Sequence, residues 1–462
     1  MVFSSLIFIF RFMPLAFLLY YLTPRKYKNF SLFLLSLIFY SWGEIHYIPV
    51  LFLAIIVNFY ISNKIEKKFN NKRLCKLLLS ISMITNLGIL GLFKYSDFFI
   101  DNINNLFNVS ISNLELALPL GISFYTFQIM SYSIDVYRGK VKAEKNFIDF
   151  GAFVALFPQL IAGPIVRYTD INKELKNRKV DFDQIRDGIE LFIFGLASKV
   201  LIANAIGSLW DEASELGFSN ISSPLAWLSI LAFTFQIYFD FSGYSLMAIG
   251  LGKMLGFNFP KNFNYPYISK SMTEFWRRWH ITLGSWFREY LYIPLGGNRK
   301  GTLRHYFNLF FVWAVTGFWH GASWNFVFWG LLFFILISLE KLFLLNILEG
   351  KHLLSKIFSR VYFIILTMIG WAVFAITDFN DLQLFFSRLF AFDIGTDVVY
   401  YIRNYFMVFI LAGVFSTPIL KKPWEHLNKN GAVRTIILLV LFIITVAYIV
   451  DSSYNPFLYF RF

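Results

Sequence analysis

Cysteine is almost absent from this 462-residue chain: Cys75 stands alone, which excludes an internal disulfide and a thiolate metal cluster. Charge is scarce as well, at 15% of residues, where soluble domains carry roughly 25%. No G-x-x-x-x-G-K-[ST] phosphate loop, G-x-S-x-G nucleophile elbow or H-E-x-x-H zinc motif occurs. ATP-driven transport and serine-hydrolase chemistry are therefore unsupported, and no metal site is expected. Residues 1–22 lack both a basic leader and a small-residue cleavage site, so they read as a retained first span.

What is present is apolar. Hydrophobic residues make up 57% of the chain and aromatics 21%, including 58 Phe, a composition suited to a lipid-facing surface with interfacial belts. A spanning helix needs about 20 mostly apolar residues. Runs at 2–22, 30–43, 48–63, 74–95, 117–137, 187–206, 224–251, 305–320, 324–345, 358–377, 399–420 and 432–450 fit that need fully or in part. They predict an all-α polytopic membrane protein of ten to twelve transmembrane helices, forming one membrane domain over 1–462. The stretch FGAFVALFPQLIAGPI (150–165) is flanked by basic residues on both sides and broken by Pro158, Gly163 and Pro164. It is expected to be a re-entrant segment buried in protein.

The net charge of +14 does not point to nucleic acid, because the basic residues sit mostly in short loops. Arg25, Lys26 and Lys28, the cluster Lys64 to Lys76, the segments 138–145, 167–186 and 253–304, and Lys421, Lys422, Lys429 and Arg434 form one set. Loops 41–47, 96–117 and 207–223 contain no Lys or Arg, and 378–398 sets Asp378, Asp381, Asp393 and Asp397 against Arg388. Lys94 alone falls on the wrong side. The positive-inside rule then places the amino terminus outside a bacterial cell membrane, with Cys75 cytoplasmic. It also puts the turn after residue 320 on the outer side.

Two segments carry candidate chemistry. In GFWHGASWNFVFWG (317–330), His320 and Asn325 sit within an apolar run, where each polar group needs a partner or a watery cavity. A hydrogen-bonded packing histidine is the plainer alternative. SKSMTEFWRRWHITLGSWFREYLYIPLGGNR (269–299) reads as one amphipathic helix from Thr273 to Pro294. Its Arg277, Arg278 and Arg288 suit the phosphates of a soluble donor, or simply anchor the helix in the interface. Asp240 is a buried acid that orients a histidine or pairs with one of these arginines, unless it serves a structural ion pair. His46, His305, His352 and His426 lie in loops or at span ends.

The segments EFWRRWHITLGSWFREYLYIPLGGNR (274–299) and GFWHGASWNFVFWG (317–330) together resemble the membrane-bound O-acyltransferase (MBOAT) family. MVFSSLIFIFRFMPLAFLLYYL (1–22), SFYTFQIMSYSIDVYRG (123–139) and FPQLIAGPIVRY (157–168) resemble its branch of alginate O-acetylation and peptidoglycan-acetylating proteins. The five motifs occur in order up to about residue 345, with the motif-bearing core at 117–345. The resemblance implies tilted helices around a central tunnel, with His320 as the catalytic histidine and His280 as a second, tunnel-lining one. It implies acetyl transfer from a cytoplasmic thioester, expected to be acetyl-CoA, toward an extracytoplasmic polysaccharide through an exported partner. On this reading His320 is the general base, and His280 or Asn325 donates to the thioester oxygen. Two alternatives remain: a D-alanyl transferase for teichoic acid, and a non-enzymatic flippase or channel.

Overall fold

The computed structural model describes residues 1–428 and 431–451, so Lys429 of the charge pattern lies outside the described residues. Every regular element among them is helical. Eight of these helical stretches are long and apolar enough to cross a bilayer, and the protein is a multi-pass membrane protein. The count falls below ten to twelve for identifiable reasons. Residues 25–67 form one continuous stretch, 8–22 is short, and Ile122–Tyr137 has only 16 residues. Lys72–Phe107 runs 36 residues, so the expected loop 96–117 is helical for half its length. At 1.5 Å per residue this helix is about 54 Å long, well beyond the ~30 Å hydrocarbon core.

The chain divides into two compact units, Met1–Phe192 with Ser245–Pro260, and Ile193–Tyr244 with Lys261 onward. In the first unit, Ile48–Lys67, Lys72–Phe107 and Ile122–Tyr137 pack on one another. Their contact is stitched by amides: Asn86 Nδ2 donates to Asn58 Oδ1 at 2.9 Å, and Ser82 Oγ donates to the same oxygen at 2.6 Å. In an apolar setting such bonds tie helices that hydrophobicity alone leaves free to slide. The stretch 150–165 is broken and wholly buried. Its helix Phe147–Ala155 stops at Leu156, and Ser36 Oγ accepts from Phe157 N at 3.1 Å where the chain restarts. Just outside the spans, Glu144 is buried, yet the Lys176 ammonium at 2.7 Å and the Tyr168 hydroxyl at 2.8 Å hold its carboxyl below the usual range.

The second unit carries both motif segments. Thr302–His320 and Trp324–Leu339 form a hairpin whose backbones meet at two glycines. A Cβ on Gly317 would lie 2.2 Å from the Phe326 carbonyl oxygen, and one on Gly330 2.4 Å from that of Trp313. Only glycine permits that approach. The helix opening at Ser223 is capped from the acidic segment: Asp393 Oδ1 accepts from Ser223 N at 2.7 Å, and Asp397 accepts from Ser222. Carboxylates at a helix start answer its unpaired amides and its dipole.

Cys75, beside the basic cluster, is packed away from solvent. It is 1% exposed, and its thiol donates to the Lys68 carbonyl at 3.2 Å. Folded protein should therefore incorporate almost no maleimide, rising to one equivalent after denaturation. Mass spectrometry of the two samples checks this, and full labelling of the folded form would contradict the packing.

Candidate active site

The segment expected to be a single amphipathic helix is interrupted at its histidine. Met272–Arg278 begins at Ser271, whose hydroxyl accepts from Glu274 N at 3.0 Å. It ends at Trp279, and Ile281–Phe287 then starts a new helix. His280 joins them with φ 43° and ψ 54°, a left-handed conformation that side chains other than glycine rarely adopt. Asn262 and Asn264 hold the break: Ile281 N donates to Asn262 O at 2.9 Å, and Asn264 N donates to Arg278 O at 2.9 Å.

Asn262 also fixes the chemistry of the ring. Its Oδ1 accepts from Thr282 N at 3.3 Å and from Thr282 Oγ1 at 2.8 Å. A backbone N–H can only donate, so that side-chain atom is the oxygen. The same oxygen lies 3.0 Å from His280 Nδ1, which must then carry the proton. Nε2 is left as a bare acceptor, buried and without a hydrogen-bond partner among the described residues. Burial pushes the imidazole down to about 3, so it is neutral at physiological pH.

His320 is the last residue of Thr302–His320, at the expected helix break before the extended Gly321. It is 7% exposed and enclosed by rings: Trp319 and Trp329 at 4.9 Å and Phe374 at 5.4 Å. Trp319 also lies 6.4 Å from His280, so one indole is shared by the two histidines. Phe241 closes the other face of His280 edge-on at 4.7 Å. The Trp329 indole N–H is buried with no acceptor among the described residues. Buried polar atoms left this way are uncommon in folded protein and mark where a bound group can pair.

The structure gives partners to three of the expected residues. Asn325 Nδ2 donates to the carbonyls of Val373 and Phe374, both at 3.2 Å, closing the end of Leu353–Ala375. Its amide is occupied there, and neutral His280 has no second N–H, so neither is a spare donor for a thioester oxygen. Asp240 forms the structural ion pair that the sequence left open, with Lys199 at 2.7 Å and both side chains 2% exposed. Arg278 is committed to Glu274 at 2.8 Å and to the Asn264 carbonyl at 3.1 Å. Arg277 and Arg288 are exposed.

The residue that sequence reasoning missed is Glu340, which is fully buried. Its carboxylate accepts from Met272 N at 2.6 Å, Thr273 N at 2.8 Å, Thr273 Oγ1 at 2.6 Å and Tyr362 Oη at 3.2 Å. A single acid at the end of an apolar span was the available signal. Lys199, the only basic residue within 187–206, gave a similar one.

With this geometry in view, the comparisons are decisive. The model of the MBOAT, membrane-bound O-acyltransferase family, matches residues 140–377. A Pseudomonas putida protein named probable alginate O-acetylase AlgI is 38% identical over the full length of both chains. The chain belongs to the membrane-bound O-acyltransferase family. The peptidoglycan O-acetyltransferase of Helicobacter pylori is 38% identical over 74% of this chain and 70% of its own. The teichoic acid D-alanyltransferase of Streptococcus thermophilus reaches 28% over 46% and 54%. As an MBOAT protein the chain is an acyltransferase, and the O-acetyltransferase relatives match more of it than the alanylating one does. Within this MBOAT chain, His280 and His320 both fall inside the matched region and meet around Trp319.

Removing Glu340 should loosen this site. Leaving a buried donor unsatisfied costs about 1–3 kcal/mol, and Glu340→Ala strands several. Its thermal midpoint in detergent should fall by several degrees, with Glu340→Gln in between. A midpoint equal to wild type in Glu340→Ala would show that the cap is dispensable.

Proposed function

We propose that this membrane O-acetyltransferase moves an acetyl group from cytoplasmic acetyl-CoA toward an extracytoplasmic polysaccharide, with His320 as general base. The observation that carries the reading is an imidazole at a helix end, walled by Trp319, Trp329 and Phe374, with a second neutral imidazole across a shared indole. The names of the relatives support an acetyl group over D-alanine and a transferase over a channel. They also support alginate, peptidoglycan or a similar polymer as the final acceptor, and an exported partner completing the transfer is part of the proposal.

The step balances without a nucleophile on the enzyme. His320 takes the proton of the acceptor hydroxyl as its oxygen bonds to the thioester carbonyl carbon. The carbon–sulfur bond then breaks, and the leaving thiolate takes the proton back from the imidazolium. General-base help of this kind is worth about 10²–10⁴-fold. Charge developing on the carbonyl oxygen needs a donor, and we assign it to the Trp329 indole N–H in place of Asn325 or His280. His280 Nε2 accepts a hydrogen bond from the acceptor or from a water beside it. Arg277 and Arg288, exposed on the segment that the charge pattern places inside, meet the donor's phosphates, with Arg278 contributing to the fold of that mouth. The route between them is the central tunnel that the family resemblance implies.

His320→Ala should abolish acetyl transfer in vesicles supplied with acetyl-CoA while leaving the thermal midpoint unchanged. Near wild-type turnover would remove His320 from the chemistry. Trp329→Phe should keep the fold and lower kcat more than it raises KM. For the donor, Arg277→Lys and Arg288→Lys should each raise the KM for acetyl-CoA, since Lys lacks the planar fork. An unchanged KM in both would move the donor site elsewhere. Direction is tested separately: a cysteine at exposed Ser110 should react with impermeant maleimide in intact cells, and protection there would reverse the orientation.

A further inference from the structure

Away from both histidines, the second unit has a cleft of about 500 Å³ lined by Lys270, Lys356, Ile357, Arg360 and Val361. Three of the five residues are cations and none is an acid. Lys356 and Arg360 lie one turn apart near the start of Leu353–Ala375, a helix apolar enough to cross a bilayer, and both are exposed. Its first amides have no side-chain cap, so the helix dipole adds to the positive field. Arg360 Nη1 donates to the carbonyls of Ile268 and Ser269, which ties the helix to the chain just before Lys270. The aliphatic wall continues along the helix: Ile357 is 53% exposed, Val361 50% and Ile364 47%.

We propose that this cleft binds the headgroup of one anionic phospholipid, with an acyl chain lying along Ile357, Val361 and Ile364. Charge and shape both favour a lipid over a soluble anion. Three cations line the cleft, while the rest of its lining is aliphatic and belongs to a helix suited to the bilayer. A free phosphate or nucleotide leaves that wall in water. Charge alternation places residues 253–304, and the turn between Trp324–Leu348 and Leu353–Ala375, on the cytoplasmic side, where bacterial and other inner leaflets attract basic residues. The site is independent of the acetyl-transfer reading, because none of its residues belongs to the histidine region.

The test is lipid binding by the purified full-length protein, read by native mass spectrometry during titration with phosphatidylglycerol or phosphatidylcholine. A cation near an anionic headgroup is worth about fivefold in affinity, so wild type should prefer phosphatidylglycerol by roughly tenfold or more. Lys270→Gln with Lys356→Gln should bring the two lipids to within about twofold while leaving the lipid-free thermal midpoint unchanged. High salt should erase the preference in wild type itself, which keeps the test valid if the double variant does not fold. Equal binding of the two lipids by wild type, or a preference that survives in the double variant, would overturn the proposal. Displacement of phosphatidylglycerol by inorganic phosphate or acetyl-CoA at matched concentration would also overturn it, in favour of a soluble-anion site.

Discussion

The buried carboxylate of Glu340 ties together three parts of the chain that otherwise have little reason to stay in register. It lies at the end of Trp324–Leu339, it caps the start of Met272–Arg278, and it accepts from Tyr362 on Leu353–Ala375. A helix of seven residues is too short to hold itself. Its position depends on what grips its first turn, and here that grip is a charged acceptor shielded from water. His280, two residues beyond the helix, inherits its place from that contact. So does the exposed Arg277.

Around the histidines the dominant physical condition is neutrality. His280 has one nitrogen tied to an amide oxygen, the other bare, and rings on either side. His320 is surrounded by aromatic edges and faces. Away from these rings, charge in the second unit is paired, as in the Lys199–Asp240 ion pair. The site is arranged to move a proton briefly without storing one.

Much of this was legible in the sequence. Apolar runs marked the helices. A histidine in GFWHGASW stood out because lipid-facing chain rarely carries one. The misses at Lys199 and Glu340 share a cause. Period 3.6 reading assumes an unbroken α-helix, whereas this chain uses wider π turns at Ser198–Asn204, Arg288–Tyr292 and Glu340–Leu344. Two of them carry the buried Lys199 and Glu340, re-aimed by the extra residue in the turn. The break at His280 was hidden for a different reason. Nothing local in FWRRWHITLG requires it; it is imposed by Asn262 and Asn264, residues far enough upstream to leave no periodic trace.

The three-way acceptor at Asn262 has a consequence for how such a site can diverge. Its oxygen serves Thr282 twice and His280 once, so only a residue with an oxygen at that point keeps all three donors paired. Aspartate satisfies the same three donors with nearly the same shape, and a single nucleotide change converts one codon to the other. That exchange would place a negative charge against Nδ1 and favour the imidazolium. One small genetic step therefore separates a wall built for a neutral ring from one built to hold a cation, with the backbone left untouched.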